Sequence, residues 1–124
     1  MAKVLVVDDE SAYRELMREM LSGIGHEVQT AETASSAVEI GSQFRPDLLV
    51  VDWMLRSDLD GFDVANSLRK VRPDLRTILI TGFPTPSLEA KAVGARIGAV
   101  LYKPFDAEEL LDAVRRATDE PLEN

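Results

Sequence analysis

Five side chains of this 124-residue chain are of types that can do chemistry together: Asp8, Asp9, Asp52, Thr81 and Lys103. Each falls at the end of a short apolar run, VLVV at 4–7, LLVV at 48–51, TILI at 77–80 and AVLY at 99–102. The stretch LLVVDWMLRSDLDG at 48–61 poses the problem most sharply, because four strand formers run straight into an aspartate. Aspartate has poor strand propensity, and its ionised form is costly to bury without partners. Asp52 therefore belongs either at a strand end open to water or in a site that uses its charge. In an open parallel sheet the carboxyl ends of the strands form the ligand crevice, so one edge would collect three carboxylates, a hydroxyl and an ammonium.

Three carboxylates brought to about 4 Å repel one another by about 1–4 kcal/mol per pair. One lysine does not offset that. A hard divalent cation with oxygen ligands does, and Mg²⁺ fits because it takes one or two carboxylates and keeps waters for a phosphate-bearing partner. The leading chemistry is then phosphoryl transfer. An Asp carboxylate attacks phosphorus, the cation and Lys103 offset charge on the transferring oxygens, and Thr81 donates a hydrogen bond.

The elements that would position these groups follow from periodicity. The four runs, with a weaker VQTA at 28–31, read as strands. Between them lie residues at helical spacing, among them Tyr13, Leu16, Met17, Met20, Leu21 and Ile24, then Phe62, Val64, Ala65, Leu68 and Val71. Near-continuous apolar strands without polar alternation indicate a parallel sheet covered on both faces, hence a doubly wound α/β domain with strand and helix repeated five times. Asp106 and Glu109 form a capping-box pattern that opens a last helix at about 106–118. The expected domain is 1–118, with 119–124 a tail or the start of a linker.

Composition sets the outer bounds. A chain of 124 residues suits one domain with one core. With no cysteine, disulfides, thiolate zinc sites and thiol nucleophiles are excluded, and an intracellular setting is compatible with that usage. The opening MAKVLVVDDE has too short an apolar run for a secretory signal or a membrane span. A formal charge of −8 disfavours nucleic acid, and the small cluster Arg69, Lys70 and Arg72 reads as a solvated helix end.

With these residues assembled, the sequence resembles the receiver domain of two-component response regulators, from VLVVDDE through LLVVDWM and ITG to YKPF. The resemblance implies a flavodoxin-like fold with strand order 2-1-3-4-5. It implies that Asp52 is the phosphoacceptor, supplied by a phosphohistidine on a sensor histidine kinase or a histidine phosphotransfer protein. Asp8 and Asp9 would bind Mg²⁺ with Asp52 and the backbone carbonyl of Met54. Thr81 would be the switch hydroxyl, Lys103 would contact the phosphoryl group, and Gly82 would let that group approach the backbone. It further implies a cis Lys103–Pro104 bond, a downstream output domain or protein, no direct nucleic-acid or membrane binding, a cytoplasmic location, and no enzymatic activity beyond the domain's own phosphotransfer and autodephosphorylation.

The chain also departs from the family pattern. After Met54 comes LRSDLDG, without the usual proline and one residue longer. Three positions before the lysine, where the family carries Tyr or Phe, stands Val100, while Tyr102 shares its strand parity. Trp53 is expected to report Mg²⁺ by fluorescence, and Met54 and Phe83, bulky and apolar, to restrict water and lengthen the phosphorylated state. His26 is expected to be exposed and inert. Asp58, Asp60 and Asp63 resemble a calcium-loop fragment but lack its spacing and terminal Glu, so they read as loop and helix-cap acids.

Three rival functions are weaker. A small-molecule phosphatase with an Asp nucleophile would show DxDxT after the first strand, and no P-loop points to ATP as direct donor. A flavin carrier on the same fold would carry a Ser/Thr-rich loop there. An interaction module that had lost phosphorylation would not need all five pocket residues.

Overall fold

The computed structural model describes residues 2–55, 59–83, 85–94 and 97–119. Strands and helices alternate: β1 (Lys3–Val7), α1 (Ser11–Gly23), β2 (Glu27–Ala31), α2 (Ala34–Phe44), β3 (Leu48–Asp52), α3 (Gly61–Val71), β4 (Arg76–Thr81), α4 (Pro86–Gly94), β5 (Ala99–Tyr102) and α5 (Ala107–Asp119). The five strands form one parallel sheet in the order β2-β1-β3-β4-β5.

Alternation along each strand sends side chains to opposite faces, and helices cover both. On one face Leu5, Val7, Leu49, Val51 and Leu79 pack with Ala37 of α2, Leu68 of α3 and Leu88 of α4. On the other, Val4, Val6, Val50, Ile78 and Ile80 pack with Met17 and Leu21 of α1 and with Leu110 and Val114 of α5. Burial on both faces explains why the central strands read as unbroken apolar runs. The edge strand β2 is different: only Ala31 is buried, so its sequence EVQTA carries a weaker signal.

Helix starts follow local chemistry. Thr33 and Ser36 form a capping box on α2, and Asp60 and Asp63 form one on α3. Thr85 Oγ1 accepts from the Leu88 N–H at 3.0 Å ahead of α4, whose first residue is a proline with no N–H to leave orphaned. Asp106 and Glu109 exchange bonds ahead of α5 as expected, with the helix itself beginning at Ala107.

Three expectations need correction. Leu16 and Ile24 fit the spacing of α1 but are exposed, and only Met17 and Leu21 of this helix are fully buried. His26 is half-buried rather than exposed, and its Nδ1 accepts from the Ala2 N–H at 3.0 Å, which ties the chain start to the turn before β2. Arg72 is no solvated helix end, because it is bound to Asp47, Asp74 and the carbonyl of Arg45. Asp60 and Asp63 are helix-cap acids as read; Asp58 lies outside the described residues.

Candidate functional site

The sheet brings the candidate residues to one edge. In parallel register Val7 lies opposite Val51, Asp52 opposite Ile80, and Thr81 opposite Tyr102. The next step along β1 puts Asp8 beside the end of β3, and Lys103 follows directly on β5, its N–H donating to the Thr81 carbonyl at 2.8 Å. Three loops after neighbouring strands thereby share one open cavity of about 320 Å³, lined by Asp9, Glu10, Asp52, Met54, Thr81 and Lys103 among others.

Lys103 is the electrostatic centre. Its Nζ donates to Asp52 Oδ2 at 2.8 Å, to Glu10 Oε1 at 2.6 Å and to Asp8 Oδ1 at 3.4 Å. The ring of Tyr13 lies under the ammonium, 4.4 Å from centroid to Nζ, a cation–π contact that closes a further side. Burial alone would pull the Lys103 pKa down, but the hydrogen bonds to Asp52 and Glu10 and the charges of Asp8 and Asp52 outweigh it and hold the ammonium above its ordinary range. Lys103 is a fixed cation.

Asp8 is fully buried. Its Oδ1 accepts the Glu10 N–H at 2.8 Å, while Oδ2 lies 3.1 Å from Lys103 Nζ without hydrogen-bond geometry. Burial raises its pKa from 3.8 to about 6, with the neighbouring Asp52 charge adding to the rise and the Glu10 N–H and Lys103 opposing it. Asp52 is nearly as buried, its Oδ1 accepting the Met54 N–H at 3.0 Å. This answers how a carboxylate can end a buried strand: one oxygen is held by the main chain and the other by an ammonium.

Carboxylate oxygens of Asp8, Asp9, Glu10 and Asp52 all come within 4.8 Å of one another. An all-oxygen set that includes a buried oxygen lacking a hydrogen bond suits a hard divalent cation, and Mg²⁺ is compatible with it.

The remaining site residues sit at the rim or behind it. Thr81 is buried, and its Oγ1 accepts the Phe83 N–H at 3.0 Å. An ideal Cβ on Gly82 would meet only Lys103 Cβ at 3.9 Å, so no protein neighbour demands glycine there. Met54 and Phe83 line the cavity with exposed side chains. Trp53 packs against the core and donates its backbone N–H to Ile80 at 2.8 Å. The Lys103–Pro104 bond is cis. Tyr102 and Val100 share the α4 face: Val100 packs on the core beneath α4, and the Tyr102 hydroxyl donates to Glu89 of α4 at 2.6 Å. Of the LRSDLDG stretch, Arg56–Asp58 lie outside the described residues.

Three residues with a part in the site were not singled out from sequence. Glu10 and Tyr13 reach Lys103 from the start of α1; the signal for Glu10 was an acid at a helix N-cap, where Glu is a poor choice. Gly61 is the third. An ideal Cβ on it would stand 2.5 Å from the Asp52 carbonyl oxygen and 3.1 Å from Trp53 Cα.

Residues 4–115 match the model of the response regulator receiver domain. The chain belongs to that family. The general function of receiver domains, as parts of two-component response regulators, is that of a phosphorylation switch, and the chain is a regulatory domain. Among its relatives, the DNA-binding transcriptional regulator NtrC of Azospirillum brasilense is 35% identical over 94% of this chain and 24% of its own length. The response regulator MprA of Mycobacterium leprae is 37% identical over 91% of this chain and 49% of its own length. The chain thus spans half or less of these relatives.

Solved receiver structures superpose closely. A CheY-like receiver domain from Methanospirillum hungatei gives a TM-score of 0.89 at 25% identity, covering 96% of this chain and 94% of that one. NtrX of Brucella abortus, solved in complex with ATP, gives 0.86 at 34% identity over 94% of this chain and 26% of that one. The strand order of this receiver domain is the flavodoxin-like order expected from the sequence. No helix among its described residues is long and apolar enough to cross a membrane.

Proposed function

We propose that Asp52 is the phosphoacceptor of this receiver domain. The observation that carries the reading is the mounting of Asp52: a nearly buried carboxylate at a strand end, fixed by the Met54 N–H and by Lys103, and facing an open cavity. A carboxylate so held has little freedom to lose when it meets an electrophile.

In the transfer, an Asp52 oxygen attacks phosphorus of a partner phosphohistidine. The P–N bond breaks with its electron pair passing to the imidazole nitrogen, and an acyl phosphate remains on Asp52. Lys103 stays protonated and offsets charge on the phosphoryl oxygens. Asp8 and Asp9, with Asp52 and the Met54 carbonyl, would hold Mg²⁺, which supplies Lewis-acid neutralisation of those oxygens when bound. Thr81 releases the Phe83 N–H and turns its hydroxyl to the phosphoryl group, while the Gly82 backbone accommodates that group closely. The added charge of about −2 is the signal, and movement of the loop after β4 with α4 carries it outward. Hydrolysis of the acyl phosphate by water resets the switch.

The reading places the chain in the cytoplasm with a sensor histidine kinase or a histidine phosphotransfer protein as donor. An output domain or protein, rather than this domain, makes any contact with nucleic acid. The domain proper spans 1–118, and 119–124 lead out of it.

The test is intact-protein mass after incubation with acetyl phosphate, with and without Mg²⁺. One phosphoryl group is expected to be gained only with Mg²⁺, and to be absent in Asp52→Asn. No gain, under conditions that label another receiver, overturns the assignment and leaves a phosphorylation-independent interaction module.

A further inference from the structure

Lys103 has no hydrogen bond to spare. An ammonium carries three donors and no acceptor, and here they point at Asp52, Glu10 and Asp8, with the Tyr13 ring on a remaining side. Tyr13 is itself backed by Phe105, ring centroids 5.3 Å apart, so the ammonium cannot swing that way. A phosphoryl group arriving on Asp52 brings three acceptor oxygens to a cation already saturated.

The three carboxylates are not equally able to yield. Asp8 is fully buried and pinned by the Glu10 N–H, and Asp52 is the group being modified. Glu10 has a side chain 51% exposed, against 0% for Asp8 and 8% for Asp52, and it lines the cavity through which a donor must come. It can return to water at little cost. Its local setting agrees. Glu10 is the N-cap residue of α1, yet its side chain makes no capping hydrogen bond, being committed to Lys103 93 residues away.

We infer that Glu10 is a stand-in for a phosphoryl oxygen. Its carboxylate holds the Lys103 donor that the phosphoryl group will need, and it is the partner displaced when Asp52 is modified. Glu10 is thus a positioning residue: it keeps the ammonium in place in the unmodified domain, and it slows acceptance by adding negative charge at the mouth. The inference rests on Asp52 being the acceptor.

Glu10→Gln tests it, since the variant keeps length and packing, removes the charge, and costs α1 no cap. With acetyl phosphate at subsaturating concentration and Mg²⁺ in excess, followed by intact mass, labelling is expected to be about five-fold faster at low salt, as removing one like charge at about 4 Å in water suggests. The gain should shrink toward unity at high salt, a dependence that a purely structural role would not produce. The midpoint for Mg²⁺ binding by calorimetry should move less than three-fold. Labelling that is unchanged or slower in Glu10→Gln, while Asp52→Asn is unlabelled, overturns this inference alone. A ten-fold weaker Mg²⁺ midpoint with slower labelling also overturns it and makes Glu10 a metal ligand. Wild type that takes no label removes the Asp52 assignment and this one with it.

Discussion

Gly61 abuts the carbonyl of Asp52: a Cβ placed on the glycine would stand 2.5 Å from that oxygen. The Gly61 N–H also donates to the Trp53 carbonyl at 2.9 Å, so the first residue of α3 is pressed against the backbone that carries Asp52. The helix start thereby holds the strand end rigid. We expect Gly61→Ala to lower stability by about 1–3 kcal/mol, the usual range for overpacking a site that cannot open freely. Urea unfolding measures it, and an unchanged midpoint would show that α3 can back away.

The buried Asp8 makes the metal-free domain sensitive to pH. Its pKa is raised from 3.8 to about 6, so between those values the folded chain holds a proton that the unfolded chain has released. The stability this group contributes is complete below about 3.8 and is lost as pH rises through about 6, a loss of about 3 kcal/mol for a shift of this size. Asp52, Lys103 and the Glu10 N–H are the groups that face it. In EDTA, Asp8→Asn is expected to raise the urea midpoint clearly at pH 7.5 and much less at pH 5. Equal gains at both values would remove titration as the cause.

Trp53 is the chain's single tryptophan and directly follows Asp52. Its emission should fall as Mg²⁺ saturates the acidic cluster, and the same titration on Asp8→Asn should be flat. A spectrum indifferent to saturating Mg²⁺ would mean that the indole does not sense the metal.

Phe83 and Met54 are 67% and 54% exposed at the cavity, an unusual placement for large apolar side chains. They limit the approach of water to a group on Asp52. Phe83→Glu is expected to shorten the lifetime of the acyl phosphate several-fold, followed by loss of the added mass after removal of donor. An unaltered lifetime would leave that side chain to partner binding instead.

The central strands and the acceptor edge were readable from sequence because burial on both sheet faces demands unbroken apolar runs, and each such run ends in a polar group. The edge strand β2 was faint for the opposite reason, with one fully buried residue of five. Leu16 and Ile24 show the limit of helical spacing: they fit the period of α1 but fall on the flank of its apolar stripe, where neither α5 nor the sheet covers them. Glu10 and Gly61 were hidden because their roles depend on distances between segments. A glutamate after two aspartates does not announce a bond to a lysine 93 residues on, and a glycine at a helix start does not reveal a carbonyl above it. Val100 marks where the chain leaves the family pattern. Tyr102, two residues on, supplies an aromatic on the same face, but one bonded to Glu89 of α4 at the surface.

The pairing of Lys103 with acids 51 and 95 residues earlier also bears on how the molecule comes into being. While the chain is being synthesised, β1 and β3 can bring their carboxylates together before β5 has left the ribosome. That half-built sheet carries a knot of negative charge with nothing to quench it, and it is held apart until the closing edge strand arrives. The last strand to be made is therefore the one that lets the first strands settle, so arrival of β5 serves as a checkpoint on the whole assembly.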